Sequence, residues 1–153
     1  MTHIAIIAIG GKHDSGLAAK IADYTDRLGR HGGLQWLLLP HIHGDEAFVR
    51  RAESASIATK LKDGDLVILL DERGSQVSSE ALAANIQGWE ATNKRLVFVI
   101  GGAYGVDESL RQRAAFVWSL SQLVFPHQIV RLIVAEQLYR AQMITLGHPY
   151  HHQ

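Results

Sequence analysis

Leu96-Val97-Phe98-Val99-Ile100-Gly101-Gly102-Ala103-Tyr104-Gly105 is the stretch on which the fold turns. Its apolar residues run without a polar interruption and end on a glycine pair. A strand with one wet face alternates apolar and polar side chains, whereas an unbroken run belongs to a strand covered on both faces, as in a parallel sheet between helices. Ile4–Ile9, Leu34–Leu39 and Leu66–Leu70 read the same way, and Phe116–Leu120 is a weaker fifth. Segments of helical period lie between them. Asp14 is placed to cap a helix with Leu17, Ala18, Ile21, Ala22 and Leu28 on one face, stopped by Gly29. Further helices are predicted from about Asp45 to Lys62, from Ser79 to about Thr92, briefly from Asp107, and from after Pro126 to about Leu146, where Gly147 and Pro149 end the pattern. The alternation makes the chain α/β, a single domain with a mostly parallel sheet flanked by helices.

The 153 residues suit one domain, and 47% apolar against 20% charged side chains gives it a globular core. Lys and Arg total 15, as do Asp and Glu, so no global field draws the chain to nucleic acid or a membrane surface, and any RNA contact has to be local. The absence of cysteine removes disulfides, thiolate zinc sites and cysteine nucleophiles together, and it fits a cytoplasmic location. The opening MTHIAIIAIGGK holds an apolar run too short for a signal sequence or a membrane span, so no membrane partner is expected.

The last helix is unusual. Ile129, Val130, Leu132, Ile133, Val134, Leu138, Met143 and Ile144 leave it apolar around most of its circumference, more than a terminal helix on a small sheet needs. The surplus points to a second covering, most simply a homodimer partner.

Ligands of open α/β sheets bind beyond the carboxyl ends of the strands. Three segments lie there: Leu70-Asp71-Glu72-Arg73-Gly74, Gly101-Gly102-Ala103-Tyr104-Gly105, and Ser119 to His127. Glycines let backbone approach a ligand closely, so GGAYG can cradle an adenosine or a phosphate, and equally can be a plain turn before Asp107. It is not G-x-G-x-x-G, and Gly10-Gly11-Lys12 lacks the spacing of a phosphate-binding P-loop. Glu136 and Arg140 stand four apart on the apolar last helix, the spacing of an ion pair held at an interface or a site. Ser119 and Ser121 near His127 invite a hydrolase reading, but no G-x-S-x-G elbow exists. His148, His151 and His152 without a carboxylate are a poor metal signal, and no metal is expected.

LLDERG, FVIGGAYG, WSLSQLVFPHQIVRLIVAEQLYRA and HPYHH, in that order, together resemble the RlmH (YbeA) family of SPOUT-class methyltransferases. Ile9-Gly10-Gly11-Lys12 and Tyr24-Thr25-Asp26-Arg27-Leu28 match its N-terminal signatures, so the resemblance spans essentially the whole chain. It implies methyl transfer from S-adenosylmethionine to N3 of a pseudouridine, position 1915 of 23S RNA, in the large-subunit ribosomal RNA of the assembled ribosome. It also implies a homodimer and a C-terminal trefoil knot, which periodicity alone would not predict. The cofactor residues carried over are Leu70, Gly101, Gly102 and the run Leu120, Ser121, Gln122, Leu123, Val124 and Phe125. Family members often carry a basic residue after the terminal Tyr-His, where this chain has His152-Gln153.

The sulfonium is already activated, so the protein's task is alignment, together with removal of the weakly acidic N3 proton. Arg140, His127, Tyr150 and His151 are the candidates for that step, with Glu136 orienting Arg140. Lys12, Arg27, Arg30, Arg50 and Arg51 are candidates for a basic RNA-facing surface. The rival from another class is a non-catalytic dimeric module that binds an adenosine-type ligand in the same pocket.

Overall fold

The computed structural model describes residues 3–152. Five parallel strands, β1 (Ile4–Ile9), β2 (Leu34–Leu39), β3 (Leu66–Ser75), β4 (Leu96–Ile100) and β5 (Phe116–Trp118), lie in the order β2-β1-β4-β3-β5. The helices are α1 (Ala18–Gly29), α2 (Glu46–Ala58), α3 (Ser79–Glu90), α4 (Glu108–Arg113) and α5 (His127–Thr145), followed by a 3-10 turn over Pro149–His152.

Burial explains the unbroken runs. Ile6, Ala8, Ile68 and Phe98 face one core with Leu28 of α1, Leu82 of α3 and Val134 and Leu138 of α5. Their strand neighbours Ile7, Ile9, Val67, Leu69 and Val99 face a second core with Ile57 of α2 and Leu110 of α4. Both faces of the sheet are therefore dry, the condition under which period-2 alternation disappears.

Several boundaries differ from the sequence expectation. Asp14 does not cap α1. Its Oδ1 accepts the Gly16 N–H at 2.8 Å, so the carboxylate is used in a local turn and the helix starts at Ala18 without a side-chain cap. Gly29 lies inside α1, and the turn out of it uses Gly32 and Gly33, at φ 126° and 94°. α2 ends at Ala58 rather than Lys62, α3 at Glu90 rather than Thr92, and β5 at Trp118 rather than Leu120.

The largest difference is β3. Read as a strand to Leu70 with a loop after it, it breaks register and returns so that Ser75 pairs with Trp118 of β5. Gly74 makes this possible, since a Cβ there would lie 2.4 Å from the Val117 carbonyl oxygen. At the other end of the chain Gly147, at φ 69°, stops α5 as expected, with His148 N–H bonded to Met143 O at 2.9 Å.

Candidate active site

The carboxyl ends of β3, β4 and β5 and the first turn of α5 enclose a cavity of about 670 Å³. Leu70, Gly101, Gly102, Leu120, Ser121, Leu123, Val124 and Phe125, all singled out from the sequence, line it together. Gln122, an exposed residue, does not. His127 and Val130 of α5 close one side.

Both glycines are constrained by the packing around them. A Cβ on Gly102 would meet Glu53 Oε1 at 2.4 Å, and one on Gly101 would meet Val106 Cγ1 at 3.1 Å. Both therefore answer to protein packing beneath the loop as well as to open space above it. Glu53 is 2% exposed, accepts the Ile42 N–H with Oε2 at 3.2 Å, and leaves Oε1, under Gly102, without a partner among the described residues. Arg50 ties α2 to the same loop, Nε donating to the Tyr104 carbonyl at 3.0 Å and Nη2 to Glu46 at 2.6 Å.

The Leu70–Gly74 segment forms a polar wall on the β3 side, and what the sequence did not show is its partner on α4. Asp71 accepts from Arg73 and from Arg111 of α4, and lies below its ordinary pKa: burial pushes the carboxyl up, and the two guanidiniums together more than reverse it. The signal was available in DERG, but its pairing partner Arg111 stands forty residues away in the chain.

The expected catalytic residues divide into two places. His127 lines the cavity and stacks edge-on to His41 at 5.8 Å between ring centres. Burial, then Arg131 and His41, hold its imidazole below the ordinary histidine range against the opposing pull of Glu53, so it is neutral at pH 7. The remaining four meet elsewhere. Arg140 Nη2 and Nε bond Glu136 Oε1 at 2.7 and 3.0 Å, and Arg140 Nη1 lies 3.3 Å from His151 Nδ1. Tyr150 donates to Glu136 Oε1 at 3.1 Å, its ring 4.9 Å below the Arg140 guanidinium, and His151 Nε2 reaches Glu80 Oε1 at 2.7 Å. Burial and the bonds to Tyr24 and Glu136 raise the Tyr150 phenol above its ordinary value, and its hydroxyl donates to Glu136. Arg140 stands ten positions after Val130, which is about 15 Å along the helix.

Two of the residues expected on an RNA-facing surface are engaged internally: Arg50 as above, and Arg27 with Asp23 and against the Tyr24 and Tyr139 rings. Lys12, Arg30 and Arg51 make no ion pair among the described residues. Among those residues no three histidines or carboxylates gather at metal-ligand spacing, and no helix is long and apolar enough to cross a membrane.

Comparison with known proteins supplies the chemistry. A family model described as "Predicted SPOUT methyltransferase" matches residues 2–151. Proteins named ribosomal RNA large subunit methyltransferase H are 39% identical in Acetivibrio thermocellus and 41% identical in Paracoccus denitrificans, each match covering 97% of this chain and 98% of the relative. One from Acidiphilium cryptum is 42% identical over 97% of this chain and 92% of its own. The fold superposes with a TM-score of 0.57 on the structure of a probable methylase family protein from Haemophilus influenzae Rd KW20, at 14% identity, covering 96% of this chain and 69% of that one. The chain belongs to the SPOUT methyltransferase family, on the branch whose curated members carry the name ribosomal RNA large subunit methyltransferase H.

Proposed function

We propose that this protein is a homodimeric, cytoplasmic enzyme that moves the methyl group of S-adenosylmethionine to N3 of a pseudouridine in the large-subunit RNA of assembled ribosomes. The observation that carries the proposal is the convergence of Leu70, Gly101–Gly102 and the Leu120–Phe125 segment on one cavity, in a chain that matches the methyltransferase family over residues 2–151. The cavity fits the cofactor chemically. Apolar Leu70, Leu120 and Val130 can hold the adenine, and the glycine loop offers bare backbone to the ribose and amino-acid ends. When bound there, the cofactor supplies an activated methyl. The chain's own residues exclude water, hold the acceptor in line and handle its N3 proton.

His127, neutral and at the cavity wall, is in place to accept that proton within one subunit. The Glu136–Arg140–Tyr150–His151 cluster cannot reach the same point, because it lies too far along its own helix. It would serve the acceptor bound to a second copy, Arg140 stabilising the imide anion and Tyr150 donating to it. The trefoil knot is part of the same family reading.

Incubating the protein with methyl-labelled cofactor and ribosomes from cells lacking it tests the proposal. Label in large-subunit RNA supports it. Tight cofactor binding with no label in RNA would favour the adenosine-ligand binding module instead.

A further inference from the structure

Arg131 is a buried cation without an anion. It follows His127 by one helical turn, is 0% exposed, and spends its guanidinium on the loop between β1 and α1. Nη2 donates to the carbonyls of Ile9 and Gly10 at 2.9 and 3.0 Å, and Nη1 donates to that of Lys12 at 3.1 Å and lies 3.1 Å from His13 Nδ1. Its Nε–H has no partner among the described residues, and no carboxylate there comes within ion-pair distance. Gln128 completes the grip, donating to Lys12 O at 3.3 Å and accepting the Asp14 N–H at 2.9 Å.

Neutral donors could hold these carbonyls at lower desolvation cost, so an unpaired charge at this depth is an expensive clamp. Its field is felt locally: His13 and His127 are both held below the ordinary histidine range, by burial first and by Arg131 next. The loop above it opens after Gly10. Gly10 itself, at φ 119°, is buried against Arg131 and His41, whereas nothing lies within 4 Å of a Cβ placed on Gly11, and Gly11 and Lys12 are exposed. The nearby carboxylates are committed or enclosed, Asp14 Oδ1 to the Gly16 N–H and Glu53 beneath Gly102. The loop ends β1, the strand beside β4, and His127 joins the two regions by lining the cavity while stacking on His41.

We propose that the Gly10–Asp14 loop is a phosphate-binding wall beside the methyl-donor cavity. It takes a backbone phosphate of the acceptor RNA through Lys12 and the open backbone at Gly11, and Arg131 is the positioning residue that fixes the loop and supplies positive potential from below. The identity of the phosphate's owner rests on the RNA-methyltransferase reading, and measuring binding apart from methylation separates the two.

Wild type, Lys12→Ala, Arg131→Lys and Gln128→Ala, all as full chains, are titrated with ribosomes at several salt concentrations. Co-sedimentation reads binding, and label from the cofactor reads transfer in the same samples. Lys12→Ala is expected to weaken binding about tenfold and to reduce the slope of log affinity against log salt by roughly 0.7–0.9, the loss of one phosphate contact. Its affinity for the cofactor alone should be unchanged. Arg131→Lys keeps the charge and loses the loop geometry, so binding weakens while the salt slope stays. Gln128→Ala should weaken binding to a smaller degree and serves where Arg131→Lys does not fold. Inorganic phosphate should compete with ribosomes for wild type and not for Lys12→Ala. Ribosome binding and salt slope unchanged in Lys12→Ala, or no binding by wild type, would overturn the proposal. Lys12-dependent binding without methyl transfer would sustain it and sink the enzymatic reading.

Discussion

Tyr150 Oη donates to Glu136 Oε1 at 3.1 Å, fastening the last turn of the chain to the middle of α5. Gly147 and Pro149 stop the helical pattern, and a stop alone would leave the residues after it free of the core. Instead the Tyr150 ring packs edge-on to Tyr139 at 4.8 Å and under Arg140 at 4.9 Å. Tyr150→Phe keeps the ring and loses the hydroxyl's bonds to Glu136 and Tyr24, so it should lower stability by about 1 kcal/mol in urea unfolding. Cofactor affinity should not change, because the cavity lies elsewhere. Methyl transfer should fall if the phenol donates to the acceptor, and unchanged transfer would restrict Tyr150 to packing.

Acid should destabilise the protein earlier than its carboxylates alone would predict. His13 and His127 have folded pKa values below the ordinary 6.5, burial being the main cause and Arg131 the next, so below that pH the unfolded chain binds more protons and stability falls with pH. Their contribution is complete above about pH 6.5 and is lost toward the lower folded values. Asp65 and Asp71, also lowered, lose theirs only below about pH 4. Urea midpoints from pH 7.5 to 5 should therefore decline, and His127→Gln should flatten the decline. An identical slope in the variant would contradict the account.

Gly102→Ala should cost about 1–3 kcal/mol, because the new methyl meets Glu53 Oε1 at 2.4 Å in a closed site. Glu53→Asp withdraws that oxygen by one methylene, so the double variant should lose less than the sum of the single ones. Chemical denaturation of the four proteins measures the coupling. Simple additivity would mean that the loop relaxes away from Glu53.

The proposed dimer should depend on the part of α5 that the chain does not cover itself. Packing against α1, α3 and the sheet accounts for Val134, Leu138, Ala141 and Met143, so much of the helix's apolar surplus is internal. Ile129 remains 41% exposed, and Leu123 and Val124, in the segment that leads into α5, are 68% and 78% exposed. A dimer is expected at low micromolar concentration in sedimentation equilibrium, with Ile129→Asp shifting the mass toward the monomer. A monomeric wild type would contradict the proposal that Arg140 and Tyr150 act on an acceptor bound to a second copy.

The core was legible because strands buried on both faces leave an unbroken apolar signature, and the glycine and Leu120–Phe125 loops stood out at their ends. Arg131 was not legible: within Ile129–Ile144 it reads as one polar position on a helix, and its partners are carbonyls more than a hundred residues earlier. Asp14 misled for a related reason, since a carboxylate before a helical pattern caps a turn or a helix equally well and only the Gly16 N–H decides which. The return of β3 onto β5 depends on Gly74 and a register break that leaves no period in the sequence.

Mapping the acceptor atom tests the central claim most directly. Large-subunit RNA methylated by this protein in vitro is cut into nuclease fragments and read by tandem mass spectrometry. The account predicts one added methyl, on the base of a pseudouridine at N3, absent when the cofactor is omitted. A methyl on ribose, on another base, or on no RNA at all would contradict it.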